Sequence, residues 1–202
     1  MPQYTLTYFD AMGRAEPARL IFAYAGVNYT DKRITREEWT ALKPNTPMGQ
    51  VPLLEVDGKL LSQSLAIYRF LAGTFGLKGN DAFDAAKCDM LVDGLQDVYT
   101  ALRPWFFEQD PEKKKTLLAE IVENTLKPTN AMYEKLLSQS GAGYFVCDKL
   151  TWADIVLYNY ISGFAAKTGS TDGFPKLKEF ATKVGEIPAI KQWVEKRPKT
   201  EF

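Results

Sequence analysis

Along Tyr4-Thr5-Leu6-Thr7-Tyr8 aromatic and aliphatic residues alternate with β-branched threonine, a pattern that predicts a strand. From Arg14 to Ala25 the apolar positions Leu20, Ile21, Tyr24 and Ala25 recur at helical spacing instead. Pro17 suits the first turn of that helix, and Gly26 stands where a C-terminal cap belongs. Val27 to Ile34 reads as a second strand, and a right-handed crossover makes the two strands parallel. A loop rich in Pro, Asn and Gly runs from Lys43 to Gln50. Val51 to Val56 predicts a third strand, and Asp57-Gly58 a two-residue hairpin turn, because both residues tolerate positive φ. Lys59 to Leu61 returns antiparallel, and Ser62-Gln63-Ser64 opens a helix carrying Leu65, Ile67, Tyr68 and Leu71, stopped by Gly76.

Beyond a short linker at 77–83 the strand signal almost vanishes. Cys88, Leu91, Val92, Leu95, Val98, Tyr99 and Leu102 recur at steps of three and four, which predicts one long amphipathic helix. A second is expected over Lys113–Gln139, kinked at Pro128. Thr151-Trp152-Ala153-Asp154 resembles a capping box with aspartate in the Glu/Gln position, so a third helix starts there. Two shorter helices follow, near Lys176–Val184 and Ala189–Lys196. The order β-α-β then β-β-α is that of a thioredoxin-like domain. The fold class is therefore an α/β thioredoxin-like domain over residues 1–76, followed by an all-α domain over 84–202.

Composition narrows what such a fold can do. Lys and Arg total 25, as do Asp and Glu, so the formal net charge is zero and no basic field exists to attract nucleic acid. No apolar run approaches the roughly 20 residues that span a bilayer, so no membrane partner is expected. Met1-Pro2-Gln3-Tyr4 lacks the basic and apolar segments of a secretory signal, and two isolated cysteines cannot form a disulfide framework, so a cytoplasmic location is expected. The chain has no histidine, which removes Ser-His-Asp and Cys-His catalysis and most transition-metal sites. Chemistry falls to Tyr, carboxylates, Lys, Arg, hydroxyls or backbone.

The first β-to-α turn, Tyr8-Phe9-Asp10-Ala11-Met12-Gly13-Arg14, is the place where a thioredoxin-like oxidoreductase would carry Cys-x-x-Cys. It has no Cys, Ser or Thr, and Tyr8 supplies its one hydroxyl. Tyr8 is either a buried strand aromatic or a donor to a bound thiolate, which would lower the thiol pKa. Val51-Pro52 is either an ordinary edge proline or a cis bond that exposes the Val51 N–H and C=O to an extended peptide. Ser64, after Gln63, is either a helix cap or part of a carboxylate site at a helix N-terminus. Trp152, Trp193, Phe164 and Phe180 read as core, Asp154 as a cap, and Cys88 and Cys147 as free packing thiols.

Tyr4-Thr5-Leu6-Thr7-Tyr8-Phe9 with Gly13-Arg14-Ala15-Glu16, Gln50 through Gly58, and Ser62-Gln63-Ser64-Leu65-Ala66-Ile67 together closely resemble the sigma class of glutathione transferases. That class includes haematopoietic-type prostaglandin D synthase and the S-crystallins. The resemblance continues through Thr151–Asp154 and Ile187-Pro188-Ala189-Ile190 to Lys196-Arg197-Pro198. It implies a glutathione transferase of the detoxifying kind, with glutathione as co-substrate and no metal. By the resemblance Tyr8 holds the glutathione thiolate and Arg14 supports Tyr8. Trp39 and Lys43 attend the glycyl end, Gln50, Val51 and Pro52 the peptide backbone, and Gln63 and Ser64 the γ-glutamyl carboxylate. Asp97 of a second subunit approaches the γ-glutamyl amino group, which implies a homodimer. Phe9, Met12, Gly13, Tyr99 and Trp105 wall a pocket for a small hydrophobic electrophile between the two domains.

Two departures bear on the substrate. Gln96 replaces an acidic member of a metal cluster found in prostaglandin D synthase-like relatives, although Asp93 and Asp97 remain. One extra residue precedes Pro104-Trp105 and alters the pocket wall. General conjugation is the reading that follows. The alternatives are isomerisation of prostaglandin H2 to D2 on the same thiolate, and a structural or ligand-carrying role of the S-crystallin kind.

Overall fold

The computed structural model describes residues 2–200. The chain divides into two compact units: residues up to Leu77 together with those from Ile187 onward, and Lys78–Glu186.

The first unit is built on a four-stranded mixed sheet whose strands lie in the order β2 (Thr30–Ile34), β1 (Tyr4–Phe9), β3 (Leu53–Val56) and β4 (Lys59–Ser62). Strand β1 (Tyr4–Phe9) leads through a single 3-10 turn at Gly13–Ala15 into helix α1 (Glu16–Ala25). Gly26 ends that helix at φ 65°, the left-handed cap expected from its position. Strand β2 (Thr30–Ile34) pairs parallel to β1, as the crossover requires. Strands β3 (Leu53–Val56) and β4 (Lys59–Ser62) form the hairpin, with Asp57 at φ 49° and Gly58 at φ 79° in its turn. Helix α3 (Ser64–Thr74) follows. Leu6 and Leu54 from the sheet, Leu20, Ile21 and Phe22 from α1, and Ile67 and Leu71 from α3 are wholly buried in this core.

One element lies in a stretch that the periodicity left unassigned. Thr35 and Glu38 form a reciprocal capping box that starts a seven-residue helix α2 (Arg36–Leu42), and a 3-10 turn at Lys43–Asn45 continues it.

The second unit is helical. Asp81 accepts from the N–H groups of Phe83 and Asp84 at 2.8 Å, so α4 (Ala82–Gly94) begins inside the expected linker. The single long helix expected over Cys88–Leu102 is two: α5 (Gln96–Phe107) starts after a break at Leu95. Leu95 donates to Val92 instead of one turn back to Leu91, and the Tyr133 hydroxyl takes the Leu91 carbonyl at 2.8 Å. Leu91 and Leu95 stay buried, which is why the apolar spacing runs through the break unaltered.

The second long helix is also divided. Between α6 (Pro111–Ile121) and α7 (Lys127–Ser140) lies a π-helical turn at Val122–Leu126. It falls just ahead of Pro128, whose ring would crowd the preceding carbonyls of a regular helix, so a widened turn stands where a kink is expected. Helix α8 (Trp152–Tyr160) is buried around most of its circumference and runs into another π turn at Ile161–Ala165. Helix α9 (Pro175–Gly185) completes the unit.

Helix α10 (Pro188–Lys196) packs on α1 and groups with the first unit, whereas the sequence boundary assigns everything from 84 onward to the helical domain. The physical reason is polar. The indole N–H of Trp193 and the guanidinium of Arg197 each donate to the buried carboxylate of Glu16 at 2.8 Å. Trp152 and Phe180 are core residues, while Phe164 and Trp193 are only half-buried. Among the described residues no helix is long and apolar enough to cross a membrane.

Candidate functional site

Tyr8 sits near the C-terminal end of β1, half-buried, and its hydroxyl oxygen accepts the backbone N–H of Arg14 at 3.3 Å. The turn is shaped to allow this. Gly13 has φ 40°, and a Cβ at that position would lie 2.6 Å from the Tyr8 hydroxyl. A side chain at 13 would therefore displace either the ring or the turn. The Arg14 carbonyl accepts the hydroxyl of Tyr68 from α3, so both polar groups of Arg14's backbone are engaged.

Behind the turn stands a buried charged network that the sequence does not advertise. Arg19 and Glu16, both on α1, are 0% exposed and paired at 3.2 Å. Arg19 also bonds Asp31 at 3.0 Å and the Ala11 carbonyl at 2.7 Å. Arg33 joins Asp31 at 2.9 Å to Asp10 at 2.8 Å. Burial works against the charge on Arg33, but the bonds and charges of Asp10 and Asp31 outweigh it and raise its pKa.

Val51 precedes the paired part of β3, the strand between β1 and β4, which begins at Leu53, and the Val51–Pro52 bond is cis. Gln63 has φ 73°, a conformation that costs a residue with a side chain of order 1–3 kcal/mol. That backbone stands directly ahead of Ser64, the buried first residue of α3. The Gln63 amide nitrogen donates to Gln50 Oε1 at 3.0 Å and lies 3.3 Å from the Met48 sulfur, so the two glutamines named from the sequence meet. Trp39, on α2, packs edge-on to Phe9 with ring centroids 6.2 Å apart. Lys43 is exposed, and its Cε would be 3.5 Å from a Cβ placed on Gly49.

Tyr8, Phe9, Met12, Gly13 and Arg14 thus share one turn, with Trp39 against Phe9. Gln50 and Gln63 are in contact, and Ser64 follows Gln63. The remaining candidates lie on α5 of the second unit. Asp97 is exposed in its first turn and Tyr99 is half-buried. Trp105 is largely buried, between Phe164 at 5.5 Å and the Lys114 ammonium at 4.9 Å from its ring. Cys88 is fully enclosed, and burial pushes its thiol up to about 11, the behaviour of a packing residue. Arg19, Glu16, Asp31 and Tyr68 are the residues around the turn that sequence patterning missed; on α1, Glu16 and Arg19 look like ordinary polar helix positions.

Comparison with known proteins covers the whole chain. Residues 4–73 match the family described as glutathione S-transferase, N-terminal domain, and residues 96–197 match its C-terminal domain. Glutathione S-transferase 1 of Ascaris suum is 43% identical over 208 residues, covering 100% of both chains. The hematopoietic prostaglandin D synthase of Gallus gallus is 38% identical over 207 residues, covering 99% of each. The crystal structure of monomeric Na-GST-3, a glutathione S-transferase of Necator americanus, superposes with a TM-score of 0.93 at 41% identity, over 99% of this chain and 100% of that one.

Proposed function

The chain belongs to the glutathione S-transferase family and has sigma-like relatives, and from that premise we propose that the Tyr8 hydroxyl stabilises the thiolate of glutathione for attack on small hydrophobic electrophiles. The observation that carries the reading is the Arg14 N–H held on the Tyr8 oxygen at 3.3 Å. A donor on the phenolic oxygen leaves the hydroxyl proton free to point outward and polarises it. One charge-assisted bond to a thiolate is worth about 1.5–3 kcal/mol. A pKa shift of one unit requires about 1.4 kcal/mol, so that single bond accounts for about one to two units.

The remaining roles follow the tripeptide. Val51 offers its N–H and C=O to the cysteinyl unit beside Pro52, and Gln50 lies alongside. Gln63 and Ser64 receive the γ-glutamyl carboxylate, assisted by the free N–H groups of the 11-residue helix α3. Lys43 pairs the glycyl carboxylate, with Trp39 beside it. Phe9, Met12, Gly13, Tyr99 and Trp105 are assigned to the electrophile, and the activity serves detoxification in the cytoplasm. We assign Asp97 to the amino group of glutathione bound to a partner subunit, so the working form is a homodimer. The molar mass in solution tests that point directly, and the monomeric Necator relative is the contrary outcome to look for.

Tyr8→Phe is expected to lower turnover about 10-fold or more, with glutathione affinity nearly unchanged. Turnover with glutathione and a generic aromatic electrophile, followed across pH, is the measurement. Equal turnover by mutant and wild type at neutral pH removes Tyr8 from the mechanism. A second reading, isomerisation of prostaglandin H2 to D2 on the same thiolate, is favoured by the Gallus gallus relative. It predicts product formation with no consumption of glutathione.

A further inference from the structure

We infer that Arg19 is a positioning residue for the Tyr8 hydroxyl, and that the C-terminal helix α10 and its following Arg197 hold Arg19 in place through Glu16. The inference rests on the thiolate role of Tyr8 and extends it to residues outside the turn.

A peptide unit is planar, so fixing its carbonyl also fixes the direction of the N–H on the next residue. Arg19 Nη1 donates to the Ala11 carbonyl at 2.7 Å and lies 3.4 Å from that of Met12, so it orients the two peptide units ahead of Gly13. Tyr68 holds the Arg14 carbonyl, which orients the unit after Arg14. Between them sits the peptide joining Gly13 to Arg14, and its N–H is the one directed at Tyr8 Oη. Gly13, at φ 40°, offers little resistance to rotation of that peptide by itself. The two flanking anchors therefore set where the N–H points.

Arg19 is held as firmly as its task requires. Its guanidinium is fully buried, with Nε on Asp31 and Nη1 also on Glu16. Nε serves Asp31, and the two hydrogens of Nη1 are shared among Glu16 and the two carbonyls, directions that a lysine ammonium cannot reproduce. Glu16 faces Arg19 with Oε2 and presents Oε1 to Trp193 and Arg197, which lie 177 and 181 residues along the chain. Loss of Arg197 leaves Glu16 with one cation in place of two, which draws the carboxylate toward Arg19 and loosens the hold of Nη1 on Ala11 and Met12.

The test compares wild type, Tyr8→Phe, Arg197→Gln, Arg197→Lys and Arg19→Lys. Thiolate absorbance of bound glutathione is titrated against pH, alongside kcat, KM for glutathione and thermal unfolding. Arg197 is partly exposed, so Arg197→Gln is expected to fold even where an Arg19 variant does not. Its thiol midpoint should rise by about 0.5 pH unit, equivalent to about 3-fold less thiolate below the midpoint. Its kcat should fall by a similar factor, its KM should stay within about 2-fold, and Arg197→Lys should recover part of the loss. Arg19→Lys should shift the midpoint further. Wild-type and Arg197→Gln midpoints that coincide, with only the unfolding temperature lowered, would make the network purely structural and overturn the inference while sparing Tyr8. A wild-type midpoint equal to that of free glutathione, unchanged in Tyr8→Phe, would overturn both.

Discussion

Among the described residues each unit seals one carboxylate wholly from solvent, Glu16 in the first and Asp154 in the second, and the two are held by opposite means. Glu16 is compensated by cations: Arg19 on one oxygen, Arg197 on the other, with the Trp193 indole as a third donor. Asp154 takes neutral donors, the N–H groups of Phe145 and Thr151 at 2.8 Å and the Thr151 hydroxyl at 2.7 Å. Cations bring their own long side chains, so Glu16 ties together segments distant in sequence. Neutral backbone donors belong to nearby residues, so Asp154 fixes local geometry, closing the stretch before α8 onto its first turn. One buried charge distributes constraint through a unit and the other caps a helix.

The sharpest way to break this contrast is to neutralise each carboxylate. Glu16→Gln leaves Arg19 and Arg197 facing an amide. Removing one partner of a buried ion pair costs about 3–5 kcal/mol, so the urea midpoint should fall strongly. The thiol midpoint of bound glutathione should rise as well, because the Arg19 anchor is disturbed. Asp154→Ala removes the acceptor of three buried donors and the cap of α8. The expected loss is about 2–4 kcal/mol, from orphaned donors and the missing cap. The thiol midpoint of its bound glutathione and its turnover per folded molecule should match wild type. A thiol midpoint displaced as far in Asp154→Ala as in Glu16→Gln would erase the distinction between a local cap and a distributed brace.

The same contrast explains what was legible in the sequence. Asp154 could be assigned as a cap because its partner Thr151 is three residues away, within the reach of a local pattern. The parallel β1–β2 pair, the β3–β4 hairpin and its Asp57-Gly58 turn were legible for the same reason, since each follows from short-range geometry, whereas the pairing of β1 with β3 joins residues as distant as Tyr4 and Val56. Helix α2 carried a readable signal, Thr35 with Glu38 three residues on, but at seven residues it is too short to develop a clear apolar period. Glu16 and Arg19 carried none. Their burial is imposed by Asp31 on β2, the turn at Ala11–Met12, and the α10 segment. The break at Leu95 was equally hidden, because the Tyr133 hydroxyl that donates to the Leu91 carbonyl comes from α7. Among the site residues, Tyr8 could be singled out by elimination within one turn, whereas Gly13 proved necessary only once its distance from the Tyr8 oxygen was known.

The smallest predicted effect tests the electrostatics of the cap alone. Burial pushes the Asp154 carboxyl above its ordinary value, against the pull of the Phe145 and Thr151 bonds. An unfolded aspartate titrates near pH 3.9, about as in a model peptide. Between that pH and the raised folded value, the folded protein holds a proton that the unfolded chain has lost. Folding stability from this group therefore falls as pH rises through the window and levels off above it. Asp154→Asn has no such titration, so the stability difference between wild type and mutant isolates the one group. Urea midpoints of the two proteins, compared from about pH 4 to pH 8, should give a wild-type advantage that is largest at the acid end and shrinks upward. An advantage that grows with pH instead would mean that the carboxylate is stabilised in its charged form, and Asp154 would then belong with Glu16 as a compensated ion.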